Sequence, residues 1–544
     1  MTEAMKPTLG PVAASPIVPL SYKAQDDAST PPGHEQVAVI VHHGMGQQVP
    51  YETIEGVAKA IWSRMGSNSP QPVVRYSRLG LSGKNDVEPE LIRAELSFCS
   101  QADGHSRIFD VHIYESYWAP LTEGQVSIAD VISFLFRAGW NGISNTASGM
   151  FHRWMFNDEQ SFELSRARLI FVLLGLMALV SSLVFINSVL TAAAAAHAIG
   201  SQSAFPSGNM LRALTWDMIV LDIVGLGIAA GIFFFGASNS SLLRTIGWGL
   251  IYGGAAVIVV VAALMGIFHV TGWTIWPVWP PDSSGACSWA TVRGGCWLNA
   301  LLRHRLLVFA VWAFELGLAA AVRWALIEYV GDVTGYIAAY SVSKFWKLRQ
   351  DIRDAAMKVT RAVYRARQEG KDEFLYNKII VVGHSLGSVI SYDALNSLLL
   401  EASLSSDPLF VPERTRMFLT FGSPLDKTAF LFRTLKDMHS AVREVGAAAV
   451  QPMIADYAFR PQEWVNLWSP ADIISGHLDY YDLPTAANAK IKEPAALRAV
   501  PLIYERRRVR NEIDRWARTP LRAHVEYWTG ATFAEELVRG ITTS

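Results

Sequence analysis

The sequence predicts an α/β fold: a mostly parallel sheet flanked by helices, interrupted by an inserted block of four transmembrane helices. Three observations predict it. Strand-like apolar runs alternate with helical segments on both flanks of the chain. The middle carries four long runs with almost no charge. Residues 378–388 read KIIVVGHSLGS, an apolar strand running into a G-x-S-x-G turn and then a helical segment.

The membrane block accounts for the composition. The chain has 544 residues, 51% of them hydrophobic and 17% charged, against about 25% charged in an ordinary soluble protein. Residues 169–199 and 246–270 carry no charge, 218–237 only Asp222, and 306–327 only Glu315 and Arg323. Each run is near or above the roughly 20 residues a helix needs to cross a bilayer. Arg153, Arg166 and Arg168 precede the first run, and Lys344, Lys347, Arg349 and Arg353 follow the last. This bias places both flanks in the cytoplasm. Loops 200–213 and 271–305 then lie outside, although Arg293, Arg303 and Arg305 leave the side of the second open, and Cys287 with Cys296 in it are either a disulfide or two free thiols.

The net charge of −1 gives no reason to expect nucleic-acid binding, and three cysteines give no disulfide framework. Residues 1–33, rich in Pro, Ala and Ser, read as a flexible tail without the layout of a cleaved signal peptide.

Residues 34–150 form the first part of the α/β domain, 151–336 the insertion, and 337–544 the second part. VAVIV at 37–41 is a buried strand, and 93–98 and 107–118 have strand alternation. Residues 125–143 are amphipathic, either an interfacial lid or a core-facing helix. Residues 337–368 read as a long amphipathic helix. Strands follow at 379–382, 415–425, 463–474 and 499–505. Neither flank has enough strands alone, so the two must share one sheet.

The turn Gly383-His384-Ser385-Leu386-Gly387 lifts a serine above the sheet, with Gly383 and Gly387 where side chains would strike the strand or helix. A serine is a poor nucleophile until a histidine takes its proton and an acid orients that histidine. On such an elbow the acid and then the histidine follow in chain order. His524, near the C-terminus, fits the base better than His439 or His477. Asp472, just past a strand end, is the favoured acid, with Asp426, Asp479 and Asp482 as rivals. Backbone N–H groups must meet the developing oxyanion. Leu386 supplies one, and the loop His42-His43-Gly44-Met45-Gly46 the second, with Met45 as donor, Gly44 and Gly46 allowing close approach, and His42 and His43 structural.

Four segments, VHHGMGQQ, VVGHSLGS, FLTFGSPLD and the pair WVNLWSPADII with AHVEYW, resemble α/β-hydrolases of the lipase and serine-esterase type. The resemblance covers roughly 35–125 and 370–535 and lacks the HGGG form of the oxyanion loop. It implies a Ser385–His524–Asp472 triad, no cofactor and no metal, and hydrolysis of acyl esters. With the membrane block, it implies an integral membrane enzyme acting on phospholipid or acylglycerol. The alternatives are a thioesterase or deacylase of lipidated proteins, and a catalytically silent membrane scaffold.

Overall fold

A computed structural model describes residues 34–46, 49–65, 73–78, 90–102, 105–135, 138, 151–155, 158–162, 331–337, 343–368, 371–434, 450–472, 474–483, 500–519 and 522–543, with scattered single positions from 253 to 324. Strands β1 (His34–His42), β2 (Val73–Arg78), β3 (Glu90–Ala102) and β4 (His105–Ser116) come from the first flank. Strands β5 (Phe151–Met155) and β6 (Asp158–Phe162) form a separate two-stranded sheet. Strands β7 (Lys378–His384), β8 (Thr415–Phe421), β9 (Trp464–Trp468) and β10 (Val509–Ile513) come from the second flank.

The eight long-range strands form one sheet in the order β10-β9-β8-β7-β1-β4-β3-β2. Every neighbouring pair from β10 to β4 is parallel, and the β4–β3 and β3–β2 pairs are antiparallel. The seam between the flanks is β1–β7, with Val39 opposite Ile380 and His42 opposite Gly383. Residues more than three hundred positions apart in sequence are thus neighbours in one ladder, and the chain is of the α/β class.

Strand alternation builds two cores. Ile40, Ile379, Val381, Phe418 and Trp464 face one side, where α3 (Ser343–Arg365) and α4 (Leu386–Leu404) pack. Val39, Ile380, Val382, Leu419 and Leu467 face the other, covered by α1 (Glu52–Trp62) and α6 (Ala531–Thr542). Two further helices, α2 (Gly331–Ile337) and α5 (Leu425–Thr434), lie on the α4 side; α2 contacts both α3 and α5. Helix α1 follows β1 on one face and α4 follows β7 on the other. The β1–β7 boundary is therefore a topological switch point, where the strand ends open a crevice.

Several boundaries differ from the sequence reading. The expected strand at 499–505 is not one: Leu502–Arg507 is a 3₁₀ helix, and the last strand is β10. Its sequence, VRNEI, is polar because it is an edge strand, which hides it from a search for apolar alternation. The long helix expected at 337–368 is α3, and α2 precedes it inside the stretch assigned to the insertion. Residues 128–135 are helical, and Val131, Phe134 and Leu135 are buried in the core. The core-facing alternative for 125–143 therefore holds over its described part.

No helix among the described residues is long and apolar enough to cross a membrane. Apart from scattered single positions, the expected spans 169–199, 218–237, 246–270 and 306–327 lie outside the described residues, as do the tail 1–33, Cys287, Cys296 and His439.

Candidate functional site

Strand β7 ends at His384, and Ser385 follows with φ 52° and ψ −128°, a backbone few L-residues adopt. Such strain persists only where the surroundings enforce it. Here the Ser385 N–H donates to the Phe421 carbonyl at 3.1 Å, and the Ser388 N–H donates back to the Ser385 carbonyl at 3.0 Å. Helix α4 starts hard against the end of β1. A Cβ placed on Gly387 would lie 2.2 Å from the carbonyl oxygen of His42, so no other residue fits. Gly383 is similarly pressed against Ser388.

The fold brings three sequence-predicted residues together. His524 Nε2 lies 2.8 Å from Ser385 Oγ, and His524 Nδ1 lies 3.0 Å from Asp472 Oδ2. Ser385 and Asp472 are buried. Asp472 sits four residues beyond the end of β9, and His524 on a short helix, Ala523–Glu526, past β10. Ser385, Asp472 and His524 all follow the C-terminal ends of parallel strands.

The Asp472 carboxylate is well held. Its Oδ2 also accepts from Tyr527 Oη at 3.0 Å, and its Oδ1 from the Ile474 N–H at 2.9 Å. Burial opposes its ionisation, but the charge and hydrogen bond of His524, with hydrogen bonds from the Ile474 N–H and Ser475, outweigh burial and bring its pKa down to about 2. It is a fixed anion facing Nδ1, which keeps that proton on Nδ1 and leaves Nε2 to accept from the serine.

The three rival acids are engaged elsewhere. Asp482 pairs with the fully buried Arg460 at 2.6 Å. Asp479 accepts from Asn511 Nδ2 at 3.2 Å. Asp426 is buried beside Lys427 Nζ at 3.2 Å, and burial raises its pKa despite that neighbour. His477 is half exposed, with Asp479 its 3.6 Å partner.

The loop after β1 lies against Ser385: a Cβ on Gly44 would stand 3.0 Å from Ser385 Cβ. His43 fixes this loop. It stacks on Trp118 at 4.6 Å, accepts the Trp118 N–H at Nε2 (3.1 Å) and donates from Nδ1 to the Gly44 carbonyl at 2.8 Å. A trans peptide is planar, with its N–H opposite its C=O. Turning the Gly44 carbonyl toward His43 therefore turns the Met45 N–H the other way. Leu386 is the first residue of α4, so its N–H has no acceptor within the helix. His42 and His43 are both buried, and burial lowers their pKa values to about 3 and about 4. They are neutral and structural.

Three further residues of the site escaped the sequence reading. Gly422 has φ +58°, and a Cβ there would lie 3.2 Å from His524 Cε1. The glycine ending the strand of FLTFGSPLD was the available signal. His384 Nε2 lies 2.9 Å from the His524 carbonyl oxygen, and burial lowers its pKa to about 3. Tyr527, three residues past His524, braces the Asp472 carboxylate. The sequence holds no signal for either role.

The described residues contain no group of His, Cys, Asp or Glu arranged to hold a metal ion. Comparison with known proteins returns no match: no family model, curated protein or solved structure is significantly similar to this chain.

Proposed function

We propose that this chain is a serine hydrolase that cleaves acyl esters, with membrane lipids, phospholipid or acylglycerol, as its substrates. One observation carries the reading: the unbroken line from Ser385 Oγ through His524 to a buried Asp472 anion, set on a strained strand-to-helix turn. A buried core serine needs no such relay.

The geometry supports this reaction. His524 Nε2 takes the Ser385 proton as Oγ attacks the ester carbonyl carbon. Asp472 stabilises the imidazolium that forms. The Leu386 N–H, with the Met45 N–H, receives the negative charge on the former carbonyl oxygen. His524 then gives its proton to the departing alkoxide, leaving an acyl group on Ser385. Water, activated by the same histidine, releases the acid. Side chains and backbone suffice for every step, without a cofactor.

The lipid assignment rests on the four uncharged runs between the two halves of the domain. They tether the domain to the bilayer as a multi-pass protein, with its catalytic part on the cytoplasmic side by the Lys and Arg bias. The α/β-hydrolase assignment rests on the elbow and on the acid and base leaving successive strand ends.

The test uses full-length protein reconstituted in vesicles containing phospholipid and acylglycerol. Release of fatty acid by wild type and none by Ser385→Ala supports the proposal. Cleavage of S-acylated peptides alone would make the chain a deacylase. No turnover of any ester or thioester would leave a silent scaffold.

A further inference from the structure

We propose that Asp332 is a positioning residue for the oxyanion hole, tying the segment that leaves the insertion to the catalytic centre. The inference rests on the hydrolase reading above. Asp332 is buried on α2, the seven-residue helix that follows residues 163–330. Its Oδ2 accepts the Gly46 N–H at 2.8 Å in a buried hydrogen bond spanning 286 residues of sequence.

That bond fixes one peptide plane, and His43 fixes the one before it. The Gly46 N–H belongs to the Met45–Gly46 peptide, and the Gly44 carbonyl held by His43 belongs to the Gly44–Met45 peptide. Met45 is therefore clamped on both sides, with Asp332 and His43 as the clamps. Gly46 takes φ +95° readily, as only glycine does, and the Asp332 carboxylate holds its N–H in this direction. A carboxylate receiving a backbone N–H is among the stronger hydrogen bonds available.

The same short helix is tied to α4, the helix that begins at the other proposed donor, Leu386. Tyr336 on α2 donates from Oη to Asp393 Oδ2 at 2.8 Å, and Asp393 sits on α4, the helix that begins at Leu386. Arg349 on α3 donates to that same oxygen at 2.7 Å and lies over the Tyr336 ring at 4.7 Å. Gly335 lets α3 approach: a Cβ there would stand 2.8 Å from Leu348 Cδ2. Helix α2 is thus bolted to the nucleophile helix and to the oxyanion loop together. A shift of the chain where it leaves the insertion would be felt at both donors.

The experiment measures kcat and KM for a soluble short-chain ester with full-length wild type, Asp332→Ala, Asp332→Leu and Asp332→Asn. Alanine removes the acceptor; leucine removes it while filling the space, and serves if the alanine variant does not fold. Asparagine keeps a carbonyl oxygen. A misplaced oxyanion donor acts on the transition state, so kcat should fall about 10- to 100-fold in the alanine or leucine variant, with KM within about twofold. Asparagine should restore at least about a third of wild-type kcat. Affinity for a trifluoromethyl ketone, whose adduct carries the oxyanion, should fall in parallel. Wild-type kcat in the alanine or leucine variant would overturn the proposal, as would an asparagine variant no better than these two. A wild type that hydrolyses no ester would instead bring down the hydrolase reading.

Discussion

His384, the residue beside Ser385, donates a 2.9 Å hydrogen bond from Nε2 to the backbone carbonyl of His524. The elbow therefore holds both members of the Ser385–His524 contact: Ser385 by its strained backbone and His524 by its neighbour's ring. The ring also packs on Phe421 at 4.8 Å and Trp528 at 5.4 Å, so it has little freedom to turn.

Replacing His384 by leucine keeps the bulk and removes the donor. We expect kcat to drop about tenfold with KM little changed, because the base loses alignment while the rest of the site stays. Steady-state kinetics with a short-chain ester read this directly. A His384→Leu variant with unaltered kcat would show that the loop carrying His524 needs no such anchor.

Gly422→Ala is expected to be more damaging than its size suggests. The new methyl would enter the space of the imidazole, and the +58° φ adds about 1 kcal/mol of backbone strain. Activity should fall at least about 100-fold while the thermal midpoint moves by only a few degrees. Loss of fold without selective loss of activity would refute this placement of Gly422.

Asp472→Asn should reduce kcat about 10³- to 10⁴-fold, since an amide can present its NH₂ to Nδ1 and favour the wrong tautomer. Tyr527→Phe removes one of several hydrogen bonds to the same carboxylate. It should cost about 1 kcal/mol, less than tenfold in kcat. The order of these two effects is the check; a tyrosine variant as inactive as the asparagine variant would assign Tyr527 a direct catalytic role.

Acid should destabilise the chain well above the carboxylate range. His42, His43 and His384 have folded pKa values of about 3, about 4 and about 3, below the 6.5 of a free imidazole. The unfolded chain therefore takes up protons first as pH falls, and stability is lost from 6.5 downward. At about pH 5.5 each contributes a loss of about 1.4 kcal/mol, together about 4 kcal/mol. Asp472 acts in a lower window: its folded value of about 2 lies under the ordinary 3.8, so its contribution is present above 3.8 and lost below it. Thermal midpoints of the solubilised protein at neutral and mildly acid pH test the histidine effect. Equal midpoints would contradict the buried neutral state.

Local chemistry made the centre of the site legible in the sequence. The run Ile379–Val382 before a G-x-S-x-G turn specifies strand, elbow and helix without tertiary information, and the loop after Val41 follows the same logic. Asp472 was legible because a strand ended just before it. The place of His524 near the C-terminus points to it, although the segment before it, Leu502–Arg507, is a 3₁₀ helix and the edge strand β10 lies farther on. What stayed hidden depends on distant partners. Asp332 meets Gly46 and His384 meets the His524 carbonyl only once the two flanks share a sheet, and no local pattern marks such a pair.

The most direct test of the central claim is covalent labelling of full-length protein in membranes with a fluorophosphonate probe, followed by mapping of the modified residue. The relay predicts one adduct, on Ser385, absent from Ser385→Ala and strongly slowed in His524→Ala. An unlabelled wild type, or an adduct that persists in Ser385→Ala, would contradict it.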